Sequence, residues 1–235
     1  MARLRLMITR GKEVRYVSHL DFAGTIERAI RRAKLPAAYS EGFNPHMKLA
    51  FASALAVGVT SDAEYLDIEL TEELDLASVE TRLKPQLPEG IGLKAAKYMG
   101  KRSQALMAVV NLATYEITVP LATGAVWETA AASINKFNSE TKVIYIKESP
   151  KGRREIDIKE YFAAPVAIRP VTDKQAAIII GLSIKITPEG SVKPAEVLTA
   201  LAVNFGLPID KDNALINRTG LYVTDGRVCR SPIEL

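Results

Sequence analysis

The chain has 235 residues, 48% of them hydrophobic, 25% charged and 6% aromatic, with one cysteine and a mean hydropathy of +0.05. That apolar content excludes a disordered chain, and the lone Cys229 excludes both a disulfide scaffold and an iron–sulfur cluster held by the chain's own thiolates. No apolar run reaches the roughly 18 residues of a membrane-spanning helix, and the start Met1-Ala2-Arg3-Leu4-Arg5 leads into charge rather than an apolar signal core, so the expected location is the cytoplasm. The net charge of +4 is unevenly spread. Residues 1–48 carry Arg3, Arg5, Arg10, Lys12, Arg15, Arg28, Arg31, Arg32, Lys34 and Lys48 against four acids, whereas residues 62–89 carry nine acids against Arg82 and Lys84. Such polarity draws a polyanion to one face, although solvated surface charge has the same signature.

Leu4, Leu6 and Ile8 alternate with Arg3, Arg5 and Met7, which predicts a strand over residues 3–9. Ser18 is a helix N-cap with Asp21 three residues on, and Pro36 ends the segment. In between, Phe22, Ile26, Ile30 and Ala33 form one stripe, while Arg28, Arg31 and Arg32 point away from it. Strands follow at 47–52 and 65–70, a helix at 76–83 before Pro85, and a strand at 91–98. This βαββαβ order predicts a ferredoxin-like half over residues 1–100, with two helices on one face of an antiparallel sheet and the other face open for a partner. Residues 100–111 read as a boundary.

The pattern then starts again over residues 112–235. Strands are expected at 115–119, 142–147, 155–158, 177–186 and 221–224, helices at 126–137 and 194–203, and a mobile basic insertion at 148–170 containing Lys151-Gly152-Arg153-Arg154. Leu66-Asp67-Ile68-Glu69-Leu70-Thr71 aligns with Leu182-Ser183-Ile184-Lys185-Ile186-Thr187, and Glu80 aligns with Glu196 at the same offset. The expected fold is therefore α+β, two tandem ferredoxin-like halves, with chance similarity of two strand-to-helix junctions as the competing explanation.

Both histidines lie in the basic first segment. His19 and His46 could act as general base and acid, because imidazole titrates near neutrality. The competing reading packs His19 under a loop, over Ile26 and Ala33. Two histidines with Asp21 or Glu41 match no ligand spacing, so no metal site is expected. Cys229 sits in a tail between Arg227 and Arg230, and no phosphate-cradling glycine motif is present. The segment Tyr39-Ser40-Glu41-Gly42-Phe43-Asn44-Pro45-His46 offers rings for stacking, and Arg15, Arg28, Arg31, Arg32, Lys34 and Lys48 offer charge for phosphates, the mixture used on single-stranded nucleic acid. The alternative makes Phe43 a core plug and the rest turn chemistry.

Arg15-Tyr16-Val17-Ser18-His19-Leu20-Asp21, Glu27 to Ala33, Leu35-Pro36, Tyr39 to His46, Gly58 to Tyr65, Arg154 to Ile158 and Arg218-Thr219-Gly220-Leu221-Tyr222 together resemble the bacterial radical SAM-linked family, a domain of unknown function. Met47-Lys48 departs from the Pro-Arg expected there. The resemblance implies an accessory protein, found beside or fused to a radical SAM protein and encoded near a ribonuclease of the E/G type and ribosomal proteins. The iron–sulfur cluster and S-adenosylmethionine are then expected on the partner, and this chain binds no cofactor and has no catalysis of its own. The expected role is to bind or present an RNA (tRNA or rRNA) or a ribonucleoprotein, with no DNA or membrane partner. Ser18, His19, Asp21, Tyr39, Glu41, Phe43, Asn44 and His46 are assigned to substrate or partner contact. Two alternatives stand beside it: a metal-independent RNA endonuclease using His19 and His46, and a protein-only adaptor.

Overall fold

The structure, a computed structural model, describes residues 1–100, 102–149, 152–171 and 174–235; Lys101 of the boundary and Lys151 of the basic insertion lie outside them. Contacts group the chain into one unit of Met1–Asn111 with Arg218–Leu235 and a second of Leu112–Asn217. In chain order the first holds β1 (Ala2–Arg10), α1 (His19–Arg32), β2 (Leu49–Phe51), β3 (Thr60–Leu70), α2 (Leu76–Leu83), β4 (Leu93–Met99) and α3 (Leu106–Val109). The second holds β5 (Leu112–Pro120), α4 (Trp127–Ser139), β6 (Ile144–Ser149), β7 (Gly152–Asp157), β8 (Ala167–Val171), β9 (Lys174–Lys185) and α5 (Pro194–Phe205). The unit boundary falls inside β10 (Leu215–Thr224), and β11 (Cys229–Arg230) belongs to the first unit.

In the first unit β1 lies between β3 and β4 and is antiparallel to both, while β2 pairs with β3. The period-two pattern of β1 puts Leu4, Leu6 and Ile8 on the face that meets Leu66, Ile68 and Leu70. Onto that face α1 lays Phe22, Ile26, Ala29 and Ile30, and α2 lays Val79 and Leu83. Each helix starts on a polar cap, Ser18 accepting from the Asp21 amide and Asp75 from the Ser78 amide. At the other end of α1, Lys34 adopts a left-handed φ of 53°, and the Arg82 guanidinium of α2 donates to the carbonyls of Ala33 and Lys34. A cation there satisfies carbonyls that the helix leaves without partners.

The opposite face of these strands was expected to be open, and it is covered. Arg5 on β1 is fully buried, holds Asp67 of β3 through two bonds of 2.7 and 2.9 Å, and donates to the Pro232 carbonyl at 2.8 Å. The Tyr65 hydroxyl bonds Ser231, and Lys97 donates to the Leu235 carbonyl. On β2 and β3 the short helix α3 packs, with Leu106 buried. The physical reason is that face's own chemistry: a guanidinium–carboxylate pair beside apolar strand residues is stable only when something supplies further acceptors. Residues 218–235, read from sequence as part of the second half, supply them within the first unit.

In the second unit β9 pairs with β5 on one side and β8 on the other, both antiparallel. Ile117, Val119, Ile178, Ile180, Leu182 and Ile184 form a core with Ala130, Ile134 and Phe137 of α4 and Val197, Leu198 and Leu201 of α5. Of the stretch expected to be an inserted loop, residues 148–149 and 152–157 lie in the β6–β7 hairpin, in register from Ile144–Asp157 to Ser149–Gly152, and the strand expected at 155–158 falls largely in β7. Asp157 accepts from the amides of Val143 and Lys159, and Lys147 reaches Glu196 of α5 at 3.3 Å. Strand β8 escaped the sequence reading because Pro170 breaks its pattern; proline is tolerated on such edge strands. No described helix is long and apolar enough to cross a membrane.

Replacing Asp67 by Ala leaves Arg5 buried without its counter-ion, and is expected to cost about 3–5 kcal/mol in urea denaturation. Lys34→Gly is expected to act in the opposite direction, by roughly 0.5–1 kcal/mol, because relief of about 1–2 kcal/mol of left-handed strain exceeds the added freedom of the unfolded chain.

Candidate nucleic-acid interface

Arg10, the last residue of β1, shares the parity of Leu4, Leu6 and Ile8 and so enters the core side. Its guanidinium donates to the carbonyls of Val14 at 3.3 Å, Arg15 at 3.2 Å and Val17, and lies 4.9 Å over the Phe22 ring. Beside it, Arg218 of β10 is paired with Glu64 of β3, Nε to Oε1 at 2.9 Å and Nη2 to Oε2, and reaches Ser53 Oγ at 3.4 Å. Burial pushes the Arg10 pKa down, the Glu64 charge pulls it back up, and the Arg218 charge lowers it. Three backbone carbonyls thus complete a buried group of two cations and one anion. They also fix residues 14–17, and with them the start of α1.

From that anchored loop the side chains expected at the interface project outward. Arg15 lies 4.6 Å over the Tyr16 ring, and Tyr16 is exposed. Ser18 and Asp21 are engaged with each other: the Ser18 hydroxyl accepts from the Asp21 amide and donates to its carboxylate at 2.7 Å. That is a capping arrangement, so their role is to start α1. His19 is half-buried, edge-on to Phe51 at 5.2 Å. Along the outer side of α1, Arg28 donates to Thr25, Arg31 to Glu27 and to the Tyr39 hydroxyl, and Arg32 to the Gln86 carbonyl at 2.7 Å. Lys34 is exposed, and Lys48 pairs with Glu69 at 3.3 Å.

Residues 39–47 form a tight turn closed by the Tyr39–Met47 bridge, by Ser40 N to His46 O at 2.8 Å, and by His46 N to Ser40 Oγ at 2.9 Å. Gly42 sits at its tip with φ of 122°, a conformation that an L side chain resists. The reading of Phe43 as a core plug is overturned: its ring is fully exposed, and Glu41, Asn44 and His46 are exposed beside it. Met47, standing where Pro was expected, is buried, which explains why an apolar residue serves there. The guanidinium of Arg31, 6.0 Å from the Tyr39 ring, links this turn to the cationic side of α1.

The structure therefore brings Arg31 and Tyr39 together but joins His19 and His46 by no hydrogen bond or ring contact among the described residues. Also among the described residues, no three His, Cys, Asp or Glu side chains are grouped as a metal site. A cavity of about 360 Å³ is lined by Met1, Arg3, Glu69, Glu73 and Tyr98 among others, and contains none of the residues expected at the interface. Sequence reasoning missed the Arg10–Glu64–Arg218 group, counting Arg10 with the surface charges. Strand parity was the available signal for Arg10 and Glu64; nothing local signalled that Arg218 returns to them.

Over residues 3–194 the sequence matches the family described as "Uncharacterized protein conserved in bacteria (DUF2344)". The chain belongs to that family. No curated protein matches it. Among solved structures, it is similar to a chain in the crystal structure of a Cbf5-Nop10-Gar1 complex, with a TM-score of 0.51 and 10% identity over 94% of this chain and 48% of that one. This chain thus spans about half of that one, and the likeness is one of fold. A chain in the cryo-EM structure of the encapsulated DyP-type peroxidase from Mycobacterium smegmatis aligns at 10% identity over 92% of this chain and 89% of that one, with a TM-score of 0.20, and carries no argument.

Glu64→Ala is expected to cost about 3–5 kcal/mol, since it removes the carboxylate that Arg218 grips through two bonds inside the first unit. The double variant Glu64→Ala/Arg218→Ala should cost less than the sum of the two single changes in the same denaturation assay, because the pair is lost as a unit.

Proposed function

We propose that this chain is an accessory binding module which holds an RNA, or an RNA within a ribonucleoprotein, for modification or maturation by a radical SAM protein. The observation that carries the reading is the continuity between the cationic side of α1 and the turn at 39–47. Arg28, Arg31, Arg32 and Lys34 supply fixed positive charge, and Phe43 presents a bare aromatic face at the tip of a turn held by its own backbone bonds. Phosphates reward the first and unstacked bases the second.

The radical SAM partner rests on the motif resemblance. One cysteine leaves this chain without the thiolates a cluster needs, so cluster and S-adenosylmethionine belong to the partner in this reading. The endonuclease alternative has no geometric support, because His19 is turned to Phe51 while His46 sits in the exposed turn. Each unit is, in this reading, a ferredoxin-like half. In its favour are the β4-β1-β3-β2 neighbours of the first unit, and the run β5, α4, β8, β9, α5 with β9 between β5 and β8 in the second.

Fluorescence anisotropy of the full chain with bulk tRNA and with a single-stranded RNA, each across a salt series, tests the reading. Arg28→Ala/Arg31→Ala/Arg32→Ala is expected to weaken binding at least tenfold at low salt and to flatten the log–log salt slope by about 2, as for three lost contacts to a single strand. Phe43→Ala should cost about 1–3 kcal/mol while leaving the slope unchanged. Unaltered affinity and slope in the triple variant would sink the assignment.

A further inference from the structure

Glycine in a helix interior costs about 1 kcal/mol relative to alanine, so its presence in α1 needs a reason. Gly24 is the sixth of the fourteen residues of α1. At about 100° per residue it falls roughly opposite the centre of the buried stripe of Phe22, Ile26, Ala29 and Ile30, the outermost point of the helix. Nothing in this chain requires it to be small: a methyl group there would meet only the far end of the Arg28 side chain, Nη1 at 3.3 Å. Four residues earlier, Leu20 stands 82% exposed on the same side. An exposed leucine next to a notch is the surface form of a helix–helix contact, in which a missing side chain lets two backbones approach.

We infer that this side of α1 is a self-association surface, on which a second copy of the chain lays its own α1 antiparallel, crossing at Gly24. Charge complementarity selects that occupant. Asp21 and Arg28 lie on one flank of the Gly24 line, and Leu20, Glu27 and Arg31 on the other. A two-fold axis at Gly24 perpendicular to the helices keeps flanks matched while reversing direction. Asp21 then faces Arg28 of the second copy, and Leu20 faces the aliphatic stems of its Glu27 and Arg31. Parallel pairing about an axis along the helices would instead swap the flanks and set Asp21 against Leu20 of the second copy, leaving its carboxylate without a cation. Of the Asp21 carboxylate, only Oδ2 is bonded to Ser18, so Oδ1 remains for the second copy. The Arg28 bond to Thr25 is an exposed one that can be exchanged. The inference does not rest on the RNA reading, but it competes with it, because the dimer would cover Arg28 and Arg31.

The contact is smaller than the ~800 Å² per partner of a standard interface, so it is weak and calls for equilibrium sedimentation of the full chain from about 10 µM to 1 mM. The wild type is expected to move from monomer to dimer over that range, and Gly24→Leu to remain monomeric. Gly24→Ala provides the discriminating sign: it should raise the melting temperature, through helix propensity, while weakening the dimer several-fold. Arg28→Glu should also weaken it, by setting like charges against each other across the two-fold axis. A wild type that stays monomeric at every concentration overturns the inference. So does a dimer, or a higher assembly, that persists unchanged in Gly24→Leu, whatever else the chain binds.

Discussion

Three arginines are almost completely removed from solvent in the first unit, and the arrangement of that unit follows from how each is satisfied. A buried guanidinium without an anion or a set of acceptors costs several kcal/mol, so each of the three fixes the position of whatever answers it. Arg5 requires Asp67 and the Pro232 carbonyl, Arg218 requires Glu64, and Arg10 requires the carbonyls of Val14, Arg15 and Val17. Two of these ties reach across more than 150 positions of sequence. They hold residues 218–235 in the unit begun by residues 1–111. Hydrophobic burial alone would not choose that return path, because it is non-directional; the forked geometry of guanidinium and carboxylate is directional.

The exposed residues depend on those buried ones. Arg10 holds the loop before α1, the Ser18–Asp21 cap sets the first turn, and the cationic side of the helix then points where its period places it. At the far end Arg82 secures the last carbonyls of α1, and the bridge between Tyr39 and Met47 carries Phe43 out into solvent. Buried polar chemistry thus anchors this region, and the side chains that the proposed function assigns to a ligand are exposed ones whose internal bonds lie at the surface. Arg31 belongs to both, with Glu27 on its helix and Tyr39 in the turn.

Reading the sequence was most successful where the signal was local and periodic. The helix at 76–83 and the Ser18 cap follow from patterns contained within a few residues, and the structure keeps both. Strand ends were less legible: the strand expected at 65–70 extends back to Thr60, because pairing with β1 runs on to Ser61, and pairing is not written within the strand. Residues 152–154 were less legible because glycine and charge there signal a loop, while cross-strand bonds extend β7 back to Gly152. At the candidate site, Arg28, Arg31 and Arg32 were legible as an outward face. Phe43 was ambiguous, since an aromatic in a glycine-rich turn plugs a core as readily as it stands free, and only the fold distinguishes the two.

The sequence by itself determined the order of strands and helices through the first 100 residues, the faces of α1, the start of that helix, and the absence of thiols for a cluster. Each of these follows from spacing of about two or 3.6 residues, from the chemistry of a cap, or from a count. The tertiary structure alone decided that the sheet face opposite α1 is covered by the chain's own C-terminal residues, that Arg10 is buried while Arg28 is not, and that His19 turns to Phe51 rather than to His46. Those outcomes depend on contacts between segments far apart in sequence, where the energy of meeting a buried charge, rather than any local preference, selects one path for the chain.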